Sequence, residues 1–281
     1  MIHVVKSRRR NRRWTVALVN WKSLDFIVYQ LKQLYQHNDP AKFTVSIFDA
    51  TFPKHQIAEL LEITSPYRTQ ENISLFGWTT RRERGRPHGA ELDRIMREAE
   101  SEYFLSNDPD FFWVRGNHLG LLDDVMDAHR SCGTEQIVSP RHIPAWCAAY
   151  RLEDIKHTSW EPVHGRDSEN RVVVVDGRDT GWMPSEATEM RSRMLFRTCP
   201  FMPPFLGPVS YAGNQLTCLS YQHAGCVLGT HMFRGKYILE PTKKPTPEAW
   251  RAGRSLLGQY YLDLAGRFTY SQGEWKQENS K

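Results

Sequence analysis

Residues Trp14–Asp49 read WTVALVNWKSLDFIVYQLKQLYQHNDPAKFTVSIFD, and three hydrophobic patterns follow one another within them. Trp14–Asn20 is a short apolar run rich in β-branched residues, the pattern of a buried strand. From Leu24 the positions Leu24, Ile27, Val28, Leu31, Leu34 and Tyr35 recur at spacings of three and four, which lines up one face of an amphipathic helix. Ser23 is its expected N-cap and Asn38-Asp39-Pro40 its stop. Phe43–Asp49 returns to a strand pattern and ends on an acid. Strand, helix and strand in such close succession build a parallel sheet.

Beyond Asp49 the alternation continues. Gln56–Ile63 reads as a short helix and Asn72–Trp78 as a third strand. The helix opening at Gly89 carries Leu92, Ile95, Met96 and Ala99 as its apolar stripe. Glu102–Ser106 is a fourth strand that runs into Asn107-Asp108-Pro109-Asp110, and Leu119–His129 is a further helix. The expected fold is α/β, a mostly parallel central sheet flanked by helices. Such sheets bind ligands beyond the carboxyl ends of their strands. Asn20, Asp49 and the loop Thr79–His88 stand there, the last with Arg81, Arg82, Arg84 and Arg86.

The second half is less regular. Strands are expected at 136–139 and Ala145–Tyr150, a short helix at Leu152–His157, a buried strand at Arg171–Asp176, and a helix at Ser185–Met194. Cys226–Thr230 reads as a strand leading to His231. Lys243–Pro247 reads as a linker and Glu248–Arg267 as a last helix, with a frayed polar tail from Ser271. The chain thus divides into a basic arm (1–13), a first half (14–130), a second half (131–242), and a linker with C-terminal helix (243–281).

The 281 residues carry 37 Lys+Arg against 32 Asp+Glu, a net charge of +5, with 40% hydrophobic and 25% charged residues. That is globular composition, and it excludes collagen, coiled-coil and mostly disordered chains. No apolar run approaches the roughly 18–20 residues that span a bilayer, and the N-terminus lacks a signal-peptide core. A cytoplasmic protein is expected. The five cysteines, Cys132, Cys147, Cys199, Cys218 and Cys226, are odd in number and show no C-x-x-C spacing. They read as free thiols in a reducing compartment, with no zinc ribbon or disulfide framework. The excess charge is local. One cluster is the Arg81–Arg86 loop, and the other is Lys6, Arg8, Arg9, Arg10, Arg12 and Arg13, an arm suited to phosphates or simply solvated.

Asp108-Pro109-Asp110 is the chemically most informative spot. Residues i and i+2 of an extended segment point to one side, and Pro109 favours that geometry. Two carboxylates so placed make a hard oxygen site for Mg²⁺ or Mn²⁺. The same pattern occurs in solvated turns, but here it ends an apolar strand. Asp49 could accept hydrogen bonds from a base or ribose, or cap its own turn.

Together, Val16–Trp21, the strand ending at Asp49, the helix start His88-Gly89-Ala90 and the Tyr103–Asp110 segment resemble a GT-A glycosyltransferase similar to family 2. The likeness covers roughly residues 14–130 and is looser beyond. It implies a nucleotide-sugar donor, a UDP-sugar foremost, with Mn²⁺ or Mg²⁺. By that resemblance Asn20 and Asp49 fall at the nucleotide pocket, Arg86 and His88 near the sugar or diphosphate, and Asp108 and Asp110 at the metal. His231 matches a C-terminal metal-contacting histidine, with His223 as second choice. The family's catalytic base is an acid downstream, often in a Glu-Asp pair that this chain lacks. Asp179 is the nearest match, with Glu161 and Asp176 as substitutes. Trp146, Trp182 and Tyr211 could stack on a sugar or base, or pack in the core.

The implied activity is transfer of a sugar to a hydroxyl acceptor with inversion. The acceptor could be a polysaccharide, a lipid-linked glycan, or a modified DNA base served by the arm Arg8, Arg9, Arg10, Arg12 and Arg13. Two other classes compete. A nucleotidyltransferase would carry a glycine-rich loop after the first strand, whereas Asn20-Trp21-Lys22-Ser23 has no glycine. A non-catalytic nucleic-acid-binding protein would use its acids structurally.

Overall fold

A computed structural model of the chain describes residues 2–5, 7, 12–51, 56–77, 88–135, 142–199, 210–211, 214–215, 218–232, 268–271 and 274–277, with residues 22, 115, 171, 176 and 177 excepted. Its first strands and helices are β1 (Ile2–Val5), β2 (Trp14–Asn20), α1 (Leu24–His37), β3 (Phe43–Asp49), α2 (Ile57–Thr64), β4 (Ile73–Gly77), α3 (His88–Glu98) and β5 (Tyr103–Asn107). There follow β6 (Phe111–Trp113), α4 (His118–Ala128), β7 (Ser131–Thr134), β8 (Cys147–Arg151), α5 (Leu152–Ile155), β9 (His164–Arg166), β10 (Val172–Val174) and α6 (Trp182–Glu186). The last are β11 (Arg193–Cys199), β12 (Ser210–Tyr211), β13 (Asn214–Gln215), β14 (Cys218–His223), β15 (Cys226–Met232), β16 (Phe268–Ser271) and β17 (Glu274–Gln277).

The chain forms two compact units, each made of separate segments: residues 1–24, 39–108 and 121–195 in one, and 25–38, 109–120 and 196–281 in the other. In the first unit, strands lie in the order β1-β4-β3-β2-β5-β8-β7. The run β4-β3-β2-β5 is parallel, while β1, β8 and β7 pair antiparallel. Every residue of β2 is buried, which explains its continuous apolar run: a parallel strand covered on both faces has no polar side to show. Ala17, Val19, Phe48 and Phe76 pack with Ile95 and Met96 of α3 and with Trp160. In the second unit, residues 197–199 of β11 with β14, β15 and β6 form an antiparallel run.

The β2–α1–β3 reading holds, and so do the elements read from there to α4, within a residue or two. Several later readings do not. Val172–Val174 of the expected buried strand at 171–176 form β10, which among the described residues pairs with β9 alone, and Val173 and Val174 are 38% and 37% exposed. Four valines specify extended backbone but not a layer to cover it. The expected helix Ser185–Met194 stops after Glu186. Arg193 donates to the carbonyls of Ser185 and Thr188, which ends the helical course, and β11 begins at Arg193 itself. Residues 131–134 form an unforeseen strand. The tail read as frayed contains β17, which pairs with β16.

The basic arm also begins with structure. β1 pairs antiparallel with β4, Ile2 opposite Gly77. Ser7 bonds to Ser74 and Glu71, and Arg12 is buried with its guanidinium on Pro40 O. Residues 8–10, 136–139 and the expected helix at 248–267 lie outside the described residues.

Candidate active site

At the carboxyl ends of β2 and β3, Asn20 stands opposite Asp49 in parallel register. Both are fully buried. Asn20 Nδ2 donates to Asp49 Oδ1 (3.3 Å) and Gln56 Oε1 (3.2 Å), and Asn20 Oδ1 accepts from the Ser23 amide (3.0 Å). Asp49 also accepts from the Thr51 amide and hydroxyl and from the Gln56 amide. A strand-end carboxylate bonded this way ties Thr51 and Gln56 to the end of β3.

His88 opens α3, and its Nε2 lies 3.6 Å from Asp108 Oδ1. The backbone is pinned on both sides of that contact. The Asp108 amide donates to Trp146 O (2.9 Å). Next to His88, a Cβ on Gly89 would come within 2.3 Å of Trp160 O and 2.5 Å of the Glu161 Cα. Glycine therefore lets the segment 160–161 lie directly on the first turn of α3. Asp93, one turn on, holds the same segment: it accepts from the Trp160 amide (2.7 Å) and the Ser159 hydroxyl (2.6 Å). Burial pushes the Asp93 carboxyl above its ordinary pKa, against the opposing pull of those two bonds.

The same segment anchors the loop of Asp179. The Val163 amide donates to Arg178 O (2.9 Å), and the Gly181 amide to Trp160 O (3.1 Å). Gly181 adopts φ +88°, a left-handed conformation that glycine allows. Asp179 itself is exposed, with Oδ1 accepting from the Thr180 amide (2.7 Å). Glu161 is exposed as well. Arg178 covers the Trp182 ring at 5.0 Å.

In the second unit, Asp110 immediately precedes β6. Its Oδ1 lies 3.4 Å from Nε2 of His231, and both residues are 5% exposed. The cause is register: His231 of β15 sits opposite Phe111, the residue after Asp110. A carboxylate and an imidazole this close offer one cation two ligand atoms. Asp108 stands two residues earlier in the chain. His223 lies instead at the turn end of the β14–β15 hairpin, opposite Cys226, with its ring against Phe196.

Residues not singled out from sequence also shape this spot. Gln30 of α1 is buried and donates to Pro109 O (3.0 Å) and Phe111 O (2.7 Å). Gln33 and Tyr29 donate to Trp113 O at 2.7 and 3.0 Å. The available signal was an amide at position 30, three after Ile27 and four before Leu34, on the apolar face of a helix.

Arg86, Asp176 and the side chain of Tyr211 lie outside the described residues. Trp146 and Trp182 are half-buried. Cys132 and Cys147 are buried, and burial raises both thiols well above their ordinary pKa, which suppresses thiolate chemistry. Among the described residues no helix is long and apolar enough to cross a membrane.

No protein-family model matches the chain, and no curated protein does. Among solved structures, the chain is similar to residues 1–349 of S. aureus TarS at 19% identity and TM-score 0.41, over 51% of this chain and 48% of that one. The same TarS segment has been solved with UDP-GlcNAc. The mannosyltransferase PcManGT from Pyrobaculum calidifontis, solved with GDP-Man and Mn²⁺, is similar at 14% identity and TM-score 0.48, over 69% of this chain and 57% of that one. The glycosyltransferase GlyE of Streptococcus pneumoniae is similar at 12% identity and TM-score 0.37, over 52% of this chain and 35% of that one. The chain spans about half the length of the first two, and none of the three likenesses reaches a TM-score of 0.5.

Proposed function

We propose that the chain is a metal-dependent glycosyltransferase of GT-A type that moves a sugar from a nucleotide-sugar, a UDP-sugar foremost, to a hydroxyl acceptor. The observation that carries this reading is the buried pair Asp110–His231, immediately after Asp108-Pro109 at the end of a parallel strand. Two carboxylates and an imidazole are a donor set that fits Mn²⁺ or Mg²⁺. Asp108, Asp110 and His231 would hold the ion, which there supplies charge neutralisation for a diphosphate leaving group.

The remaining roles are those the resemblance implies, and placement supports them. His88 stands at the N-terminus of an eleven-residue helix, where backbone N–H groups and the helix dipole favour anions. With Arg86 it is assigned to the diphosphate. Asn20 and Asp49 are assigned to the nucleoside end, as the pair at the carboxyl ends of β2 and β3. Asp179 is the proposed base. It is exposed, so an acceptor can reach it, and it takes the acceptor hydroxyl proton as that oxygen attacks the anomeric carbon. The bond from that carbon to the diphosphate oxygen breaks in the same displacement, inverting the centre. Glu161, beside the same segment, is the alternative base.

The acceptor is assigned only as a hydroxyl compound. Of the arm residues named for a nucleic-acid acceptor, Arg12 is spent on Pro40 O and Arg13 on Asp123 and Asp127. The reading therefore gives neither of them a nucleic-acid contact. A thermal-shift panel of nucleoside diphosphates and sugar nucleotides, with and without Mn²⁺, tests the proposal. Stabilisation by one nucleotide that requires the metal is expected. No shift from any of them contradicts it.

A further inference from the structure

β6 is a three-residue strand that, among the described residues, has β15 on one edge and no strand on the other. The Val114 amide donates to Leu228 O of β15 (2.8 Å). Backbone groups alternate along a strand, so the carbonyls of Phe111 and Trp113 face the opposite edge. An edge carbonyl that is buried must find a donor or cost stability. Here the donors are side chains of α1. Gln33 and Tyr29 serve Trp113 O, and Gln30 serves Phe111 O.

Gln30 does one thing more. Its amide also donates to Pro109 O. Pro109 and Phe111 are the residues on either side of Asp110, so a single buried amide group grips the backbone before and after the carboxylate that meets His231. These two N–H bonds of one planar group hold the backbone on both sides of Asp110, in addition to the β6–β15 register. Gln33 serves the same strand edge at Trp113 O, three residues beyond Asp110.

We infer that Gln30 is a positioning residue for Asp110, setting the carboxylate at the distance from His231 that one metal ion requires; the inference rests on the metal site proposed above. Ligands held by a supporting hydrogen bond lose about 10–100-fold in metal affinity when that support is removed. Gln30→Met keeps the length of the side chain and removes the donors. Gln33→Met, on the same face of the same helix, removes a donor from the same strand edge and serves as the comparison for a purely structural loss.

The test is Mn²⁺ affinity of the full chain, read from the electron paramagnetic resonance of free Mn²⁺, for wild type and both variants. Gln30→Met is expected to weaken Mn²⁺ binding about tenfold or more, with Gln33→Met within about twofold of wild type. Equal affinities for wild type and Gln30→Met overturn the inference while leaving the metal site standing. A wild-type chain that takes up no Mn²⁺ overturns the reading beneath it. If Gln30→Met does not fold, the isosteric Gln30→Glu takes its place. On the wild type itself, hydrogen exchange of the Gln30 side-chain amide is expected to slow when Mg²⁺ is added; exchange unchanged at saturating Mg²⁺ overturns the inference.

Discussion

His231 Nε2 and Asp110 Oδ1 lie 3.4 Å apart, each on a residue that is 95% shielded from solvent. One comes from a strand interior and the other from the turn before a paired strand, so their meeting is fixed by the β6–β15 register. Asp110→Asn keeps the size of the side chain and removes its charge. We expect metal-dependent donor hydrolysis to fall at least about 100-fold and Mn²⁺ affinity with it. Rates measured at several Mn²⁺ concentrations check this, and a variant with wild-type metal dependence would contradict it.

Asp179 and Glu161 are separated by a kinetic comparison. Removing the true general base costs about 10²–10⁴ in rate and leaves donor affinity unchanged. Asp179→Asn is expected to show that loss in kcat for sugar transfer, with Glu161→Gln close to wild type. The reverse result moves the base to Glu161.

Gly89→Ala inverts a familiar rule. In a helix, alanine in place of glycine ordinarily stabilises by about 1 kcal/mol. Here the new methyl meets backbone at 2.3–2.5 Å from Trp160 and Glu161, which neither side can yield cheaply. A net loss of about 1–3 kcal/mol is expected, read as a lower denaturant midpoint. A variant as stable as wild type would show that the segment 160–161 does not rest on α3.

His118 gives the fold an acid-sensitive point. Its ring is buried, stacked on Trp113 at 4.6 Å and 3.4 Å from Asn38 Nδ2. Burial first, and the neighbouring His37 second, push its pKa down to about 3. The unfolded chain binds a proton below the ordinary histidine pKa of about 6.5, and the folded chain refuses it down to about pH 3. Stability from this group is therefore complete above about pH 6.5 and declines as pH falls, by up to about 1.4 kcal/mol per pH unit. Unfolding free energies at pH 7.5, 6.0 and 5.0 should show a smaller decline in His118→Gln than in wild type. Equal declines would contradict the assignment.

Deleting residues 1–13 removes β1 from β4 together with the Arg13 contacts to Asp123 and Asp127. A solvated arm could be cut away at no cost. This segment cannot, and we expect a lower melting temperature and a greater tendency to aggregate from the bared β4 edge. Unchanged melting would show that β1 contributes nothing.

Much of this was legible in the sequence because parallel strands buried on both faces and an amphipathic helix carry strong periodic signals. Trp14–Asn20, Leu24–Tyr35 and Phe43–Asp49 are of that kind, and Asp108-Pro109-Asp110 announces itself by its place after Tyr103–Asn107. His231 was legible only through the resemblance, since its meeting with Asp110 depends on a long-range register. The valines at 172–175 misled because extended propensity says nothing about what covers a strand. Gln30 was passed over because helix periodicity weighs apolar positions, and a buried amide among them looks like noise. Its purpose appears only when the edge of β6 lies against it. For Asp49 the two alternatives were a ligand acceptor and a cap of its own turn, and its bonds from Thr51 and Gln56 fit the cap.

The proposed metal site brings a cation and a nucleoside diphosphate together at Asp108, Asp110 and His231. Anomalous diffraction at the manganese edge, from crystals grown with Mn²⁺ and UDP, tests it most directly. One manganese peak is expected, ligated by those three side chains and by the diphosphate. A peak ligated by other residues, or a bound nucleotide with no manganese beside it, would contradict it.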